Sequence, residues 1–195
     1  YKTREGLAIE LSAAQQSVKK IAPLDSSPLS GEALLSSDVH AAIRNIGDKK
    51  VKATVEVGYK IGYPVSFAPE GVKVTLHTPD LKVNGGVAAK FSPNISVEGT
   101  GGGGSLGELG AEAGAESTII PSADVEFSVE AGKINTVSLA EFSLTKPTAD
   151  VVLSGVELNV SNAVGPISVR PFAKITVVSE EGSYTYFAHG KTTKI

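Results

Sequence analysis

The chain is predicted to be all-β, a β-sandwich head that carries one long β-hairpin stem. Three observations predict this. Segment after segment alternates apolar and polar residues with a period of two, the spacing of a strand half buried on a sheet. Val, Ile, Thr and Phe fill these segments, while Gly, Pro, Asn and Asp separate them. One stretch, from Val72 to Glu98, alternates for longer than an ordinary strand does.

Composition sets the bounds. The 195 residues are 41% hydrophobic, 20% charged and 6% aromatic, with 21 Gly, 10 Pro and no Cys, Met or Trp. That length favours one domain and suffices to bury roughly 70% of the unfolded surface. Eighteen basic against 21 acidic side chains give a net charge of −3, too little positive field to hold a nucleic acid backbone. Nucleic acid is therefore not expected as a partner. Without cysteine there are no disulfides, thiolate zinc sites or cysteine nucleophiles. No apolar run is long enough for a transmembrane helix, and the N-terminus lacks the charged-then-apolar pattern of a signal peptide, so an exported protein would be read here in its mature form. A membrane β-barrel stays open, because barrel strands alternate and produce no such run.

Along the chain, the first 45 residues carry a mixed signal. Leu7, Ile9 and Leu11 alternate as in a strand, whereas Leu11, Ala14, Val18 and Ile21 also fit a helical stripe; strand is preferred. Gly31 to Leu35 is expected to form a short helical turn capped by Ser30. Val51 to Ile61 alternates cleanly, with Val51, Val55, Val57, Tyr59 and Ile61 on one face. Further strands are expected at Ala123 to Val129, Thr136 to Leu144, Val151 to Val160 and Ile167 to Val178. Several short strands at such spacing indicate a sandwich or barrel.

The hairpin is placed at residues 72–98, with the head formed by 1–71 and 99–195. Asn84-Gly85-Gly86 suits a three-residue turn, since Asn and Gly tolerate positive φ. That turn pairs Val83 with Val87, Leu81 with Ala89 and Asp80 with Lys90. Continued downward, the register fails, so a bulge or slip is required near Pro79 or Pro93. Gly99-Thr100-Gly101-Gly102-Gly103-Gly104-Ser105 is taken as a flexible hinge back to the head. Val72, Val74, Leu76, Leu81, Val83, Val87, Ala89, Phe91, Ile95 and Val97 form a greasy side. Lys73, Thr75, His77, Asp80, Lys82, Asn84, Lys90, Ser92, Asn94, Ser96 and Glu98 form a wet one. The arm from Val72 to Val83 extends about 40 Å, or about 30 Å when tilted, which matches a bilayer core. Equally, it fits a surface ribbon laid on the sandwich. In lipid, a lone hairpin leaves both edges unpaired, so it spans a membrane only where several copies close a ring.

Certain residues carry a resemblance. Val55-Glu56-Val57-Gly58-Tyr59-Lys60-Ile61-Gly62-Tyr63-Pro64 resembles the strand leading into the stem of the mycobacterial porins of the MspA type. Val160-Ser161-Asn162-Ala163 followed by Ser168-Val169-Arg170-Pro171-Phe172-Ala173-Lys174 is similar to that family's C-terminal core signature. Pro23-Leu24-Asp25, Thr78-Pro79-Asp80 and the segment from Asp124 to Val129 match further elements, in chain order from about residue 20 to Gly190. The resemblance implies a homo-octamer, a goblet in which eight hairpins form a sixteen-stranded transmembrane β-barrel across the mycolic-acid outer membrane. It implies passive diffusion of small hydrophilic solutes and ions, with outer-membrane lipid around the stem and no cofactor. The greasy side would then face the membrane and the wet side would line the pore, with the constriction at Lys82, Asn84, Gly85 and Gly86. The aspartate cluster that such porins carry at the stem tip is absent there, and only Tyr59, Tyr63, Phe67 and Phe91 are at hand as aromatic anchors at the membrane boundary. Lys73, Lys82 and Lys90 against Asp80 and Glu98 leave one surplus positive charge per chain, about eight per octamer, which predicts weaker cation selectivity than in acidic-tip relatives, or anion preference.

Catalytic patterns are formal only. Gly103-Gly104-Ser105-Leu106-Gly107 fits a nucleophile elbow, and Gly99, Gly101 and Gly104 fit a dinucleotide fingerprint. Both follow from glycine richness and lack a strand–turn–helix context. His40, His77 and His189 lack the spacing of a metal site, although a pore-wall His77 would make conductance respond to acid near pH 6.5. Glu108, Glu112 and Glu116 read as a soluble loop or an acidic rim. Besides the porin, a non-channel cell-surface β-sandwich binding module remains open.

Overall fold

In the computed structural model, the described residues are 1–64, 72–79, 81–91, 94–97, 103–105, 109–110, 117–120, 122–129 and 132–195. Strands β1 (Ala8–Ile21), β2 (Gly31–Arg44) and β3 (Lys52–Gly62) open the head. The middle of the chain supplies β4 (Val72–Thr78), β5 (Leu81–Phe91), β6 (Asn94–Val97), β7 (Gly103–Ser105), β8 (Leu109–Gly110), β9 (Ser117–Ile120) and β10 (Ala123–Val129). Last come the long β11 (Ile134–Ser161), then β12 (Ser168–Val178), β13 (Ser183–His189) and β14 (Thr193–Lys194). No helix occurs among the described residues.

The head is one antiparallel sheet in the order β1-β2-β11-β3-β12-β13. β11 organises it. Its first half pairs with β3 and its second half with β2, while its other edge pairs with β6, β5 and β4 in turn. Drawn straight, its 28 residues would reach about 90 Å. Instead both ends return to Tyr63: Gly62 pairs with Ile134, and the Tyr63 hydroxyl donates to the Val164 carbonyl at 2.7 Å. The strand therefore bends, over Thr145 to Pro147, where β3 gives way to β2. This folds the sheet over a single core that includes Leu35, Tyr59, Ile61, Phe142, Leu158 and Ile175. Its outer strands approach each other, and Tyr1 stacks on Tyr186 with ring centroids 3.9 Å apart.

One expectation is corrected here, and the strand preferred near the N-terminus is found as β1. Gly31 to Leu35 is extended and belongs to β2; the Ser30 hydroxyl, rather than capping a helix, donates to Asp25 Oδ2 at 2.6 Å. In β1 the mixed period has a cause: a bulge between Ala14 and Ser17, with Gln15 at φ 49°, moves the inward face from Ile9, Leu11 and Ala13 to Val18.

Candidate functional site

The site to be explained is the wet face of the central ribbon. Its ladder begins at Val72 with Val129 and continues through Leu76 with Val125 and Thr78 with Ala123. It resumes at Leu81 with Ile120 and Asn84 with Ser117, then Lys90 with Gly110 and Ser96 with Gly103. The described strands of the two arms thus fall within 72–97 and 103–129 and run antiparallel to each other. The turn expected at Asn84-Gly85-Gly86 is overturned, for these residues lie inside β5, with Asn84 opposite Asp150 and Gly85 opposite Ala149 on β11. Lys90 faces Gly110 and Glu141 rather than Asp80. Lys82, Asn84, Gly85 and Gly86, expected at the tip, occupy mid-arm positions. Of the expected hinge, Gly103-Gly104-Ser105 is strand β7, and residues 99–102 lie outside the described residues.

The slip expected near Pro79 has a structural counterpart. β4 gives way to β5 between Thr78 and Leu81, β9 to β10 between Ile120 and Ala123, and the β11–β2 ladder shifts between Leu153 and Val156. Gly155, at φ +76°, sits in that shift, and a Cβ there would lie 3.8 Å from Pro79 Cγ. Above this level β11 buries Val156, Leu158 and Val160; below it, Leu153 and Val151. The inward phase moves by one residue. Positions 83, 85 and 89 of β5 consequently lie opposite buried Val151, Ala149 and Phe142, and positions 82, 84 and 90 opposite outward Val152, Asp150 and Glu141. Lys73, Thr75 and His77 share that outward face despite their odd spacing from Lys82 and Asn84.

Near the root the side chains are placed. Lys73 pairs with Glu126, and His77 Nδ1 lies 2.6 Å from Asp124 Oδ1. These are cross-strand charge pairs on a solvated face. Asn94 and Ser96 lie in β6, and Ser96 is exposed. Asp80, Ser92 and Glu98 lie outside the described residues. On the other side, Val72, Val74 and Leu76 are 1%, 0% and 0% exposed and pack into the head core; they do not face lipid, because β4 and β10 are head strands at that level. Leu81, Val83, Val87, Ala89 and Phe91 hold the odd positions of β5, and Ile95 and Val97 those of β6. Tyr59 and Tyr63, expected near the membrane boundary, are buried at 0% and 2%, while Phe67 lies outside the described residues. Burial pushes the Tyr59 hydroxyl well above the usual phenol range, and that oxygen finds no protein partner among the described residues.

The remaining polar residues do not converge. His40 Nδ1 meets Asp150 Oδ1 at 2.7 Å, His77 meets Asp124, and His189 stacks on Phe187. Among the described residues no three His, Cys, Asp or Glu come together as metal ligands. Gly103-Gly104-Ser105 is strand β7, paired with β6, and so makes no nucleophile elbow. At Asp25, hydrogen bonds from the Ser30 hydroxyl and the Ser27 amide hold the carboxyl below its ordinary range and shape the 23–30 loop. Sequence reasoning missed the second arm, 103–129. Its signal was the alternation of Ala123 to Val129, assigned instead to the head.

Comparison with known proteins points one way. The family model MspA matches residues 5–194. Porin MspC of Mycolicibacterium smegmatis is 25% identical over 169 residues, covering 84% of this chain and 69% of that porin. Porin MspB of the same organism is 24% identical with the same coverage, and Porin MspD is 21% identical over 93% of this chain and 80% of its own length. With the family model spanning nearly the whole sequence, the chain belongs to the MspA family.

Proposed function

We propose that the protein is an outer-membrane porin, a water-filled channel for passive diffusion of small hydrophilic solutes and ions. The observation that carries this reading is the ladder from Val72–Val129 to Ser96–Gly103, whose first arm alternates apolar and polar residues in sequence, in a chain of the MspA family. From Leu81 to Val97 the arm extends about 56 Å, or about 43 Å when tilted by 40°, more than the roughly 30 Å of a hydrocarbon core. β9 and β10 pair only with the first arm among the described strands, so the ribbon keeps an open edge that lipid does not tolerate. A ring of copies satisfies that edge. Each ribbon supplies two strands, and eight copies would make sixteen. The pairs that β11 gives to 81–97 within one chain are antiparallel, like those a neighbouring ribbon would give, so exchanging one for the other conserves backbone hydrogen bonds. The division that follows is a head of 1–78 and 123–195 and a ribbon of 79–122. Mycomembrane lipid would contact the odd positions of the lower arm, and Lys82, Asn84, Lys90 and Ser96 would line water.

Charge along the complete ribbon reverses the earlier expectation. Between Pro79 and Ser122 the sequence holds Lys82 and Lys90 against Asp80, Glu98, Glu108, Glu112 and Glu116, a net of −3 per chain. Repeated around a ring, that charge favours cations. Planar-bilayer recording across asymmetric KCl tests the proposal together with oligomeric mass in non-ionic detergent. Stepwise conductance with a cation-selective reversal potential is expected from an oligomer. A monomer that stays soluble without detergent and conducts nothing would favour the binding module instead.

A further inference from the structure

The first arm of the ribbon does not stand away from the head. From Lys82 opposite Val152 to Val87 opposite Leu144 it follows the outer edge of β11 as far as the bend, and from Ala88 opposite Ser143 to Val97 opposite Asn135 it follows that edge back. Asn135 is also the partner of Ile61 on β3, next to the Gly62–Ile134 pair, while Lys73 at the root of the ribbon lies opposite Ser161. Both ends of β11 meet at Tyr63. The far end of the arm therefore lies at the same end of the head as its root, and an arm on this course crosses no bilayer.

The edge that holds the arm changes character at the break between Thr78 and Leu81. Above it β11 carries β4, whose Val72, Val74 and Leu76 are buried in the head core. Below it the arm is held by ladder pairs with β11, and pairs of that kind are regained wherever the arm meets another antiparallel edge. The register also matches charge. Glu141 has Glu56 opposite on β3 and Lys90 opposite on the arm, and Lys174 takes up Glu56 at 2.5 Å. Opposed like charges weaken a ladder and unlike charges strengthen it, so Lys90 holds the position that balances Glu141. In water this arrangement meets two needs: a lone two-stranded ribbon is marginal, and an open edge as long as that of β11 invites pairing with other chains. We propose that the outer edge of β11 from Asn135 to Val152 is a docking strip that stows residues 82–97 of the unassembled chain, and that the channel forms only once they are released. The proposal rests on the porin reading: the two states share one head and differ in the strand that β5 and β6 pair with.

The chain holds no cysteine, so an engineered pair reports alone. Ser96→Cys with Thr136→Cys joins directly opposed positions and ties the far end of the arm to the head, whereas Asn84→Cys with Ser117→Cys ties the two arms to each other and leaves the ribbon free to move as a unit. Each full-length variant is oxidised in buffer, transferred to non-ionic detergent and added to planar phosphatidylcholine bilayers, with and without dithiothreitol. Oxidised Ser96→Cys/Thr136→Cys is expected to stay monomeric and silent, and reduction to restore oligomer and conductance to the parent level, while Asn84→Cys/Ser117→Cys conducts in either state. Glu141→Lys sets a like charge opposite Lys90 but faces Glu56, so it should shorten the delay before the first conductance step by about threefold and leave the oligomeric mass unchanged. An unchanged or longer delay counts against the strip. The proposal is overturned if the Ser96–Thr136 cross-link does not form in buffer, or if the cross-linked chain assembles and conducts as the parent does; the porin reading survives either result. A parent chain that never conducts overturns the porin reading, and the release step with it.

Discussion

Gly58 and Gly62 sit four residues apart in β3 and meet opposite surroundings. A Cβ on Gly58 would lie 2.0 Å from the Val137 carbonyl oxygen and 3.0 Å from the Phe172 ring, beside the bulge where β11 slips between Ser138 and Ala140. One on Gly62 would meet nothing within 4 Å. Urea unfolding should therefore show Gly58→Ala costing at least about 3 kcal/mol and Gly62→Ala no more than about 1 kcal/mol. Between them, the buried Tyr59 hydroxyl has no protein partner among the described residues. Tyr59→Phe should raise stability by about 1 kcal/mol at pH 7. The linkage sign follows from its raised pKa: the folded chain holds this proton where the unfolded chain releases it, so stability falls as pH rises above about 10. Unfolding at pH 7 and pH 11 should show Tyr59→Phe losing less over that interval. The sequence revealed this segment as a strand with an inward Tyr. It concealed that both tyrosines are fully inside, since an aromatic near a strand end reads equally as an anchor or as core.

At the scale of elements, β3, β10 and β12 were legible almost residue for residue because their alternation is unbroken. The ribbon was legible as a ribbon but not in its extent. A three-residue turn at Asn84-Gly85-Gly86 leaves Val83 and Val87 in phase, and so does a strand that runs straight through, so periodicity alone cannot separate the two. What decides is the second arm, because Ala123 to Val129 pairs with Thr78 to Val72 and commits the intervening chain to one long excursion. Asn84→Cys with Ser117→Cys should cross-link on mild oxidation, whereas Val83→Cys with Val87→Cys should not; peptide mapping reads the outcome. A further obstacle was register drift. Bulges at Gln15 and Gly155 move the inward face by one residue, and neither leaves a periodic trace of its own.

For the whole molecule, the ladder suggests where head and ribbon separate. Thr78 and Ala123 are direct partners, and the Thr78 hydroxyl both donates to the Ala123 carbonyl and accepts from its amide, each at 3.0 Å. Replacing residues 79–122 by Asn-Gly should close β4 onto β10 with a two-residue hairpin turn. That shortened chain is expected to keep a cooperative melt and a strand-type circular dichroism spectrum while giving no conductance in bilayers. Loss of folding would mean that the ribbon contributes to the head rather than projecting from it. Charge is legible only at this scale as well, since Glu108, Glu112 and Glu116 count toward the ribbon once both arms are known.

The break shared by the ribbon and β11, where Pro79 stands beside Gly155, has an evolutionary corollary. Packing above that waist is tied to the head's interior through Val72, Val74 and Leu76, whereas below it the pleat of β5 is set by its register with β11 at Val151, Ala149 and Phe142. Lineages that lengthen, shorten or recharge the lower arm therefore leave the contacts of the upper body as they are.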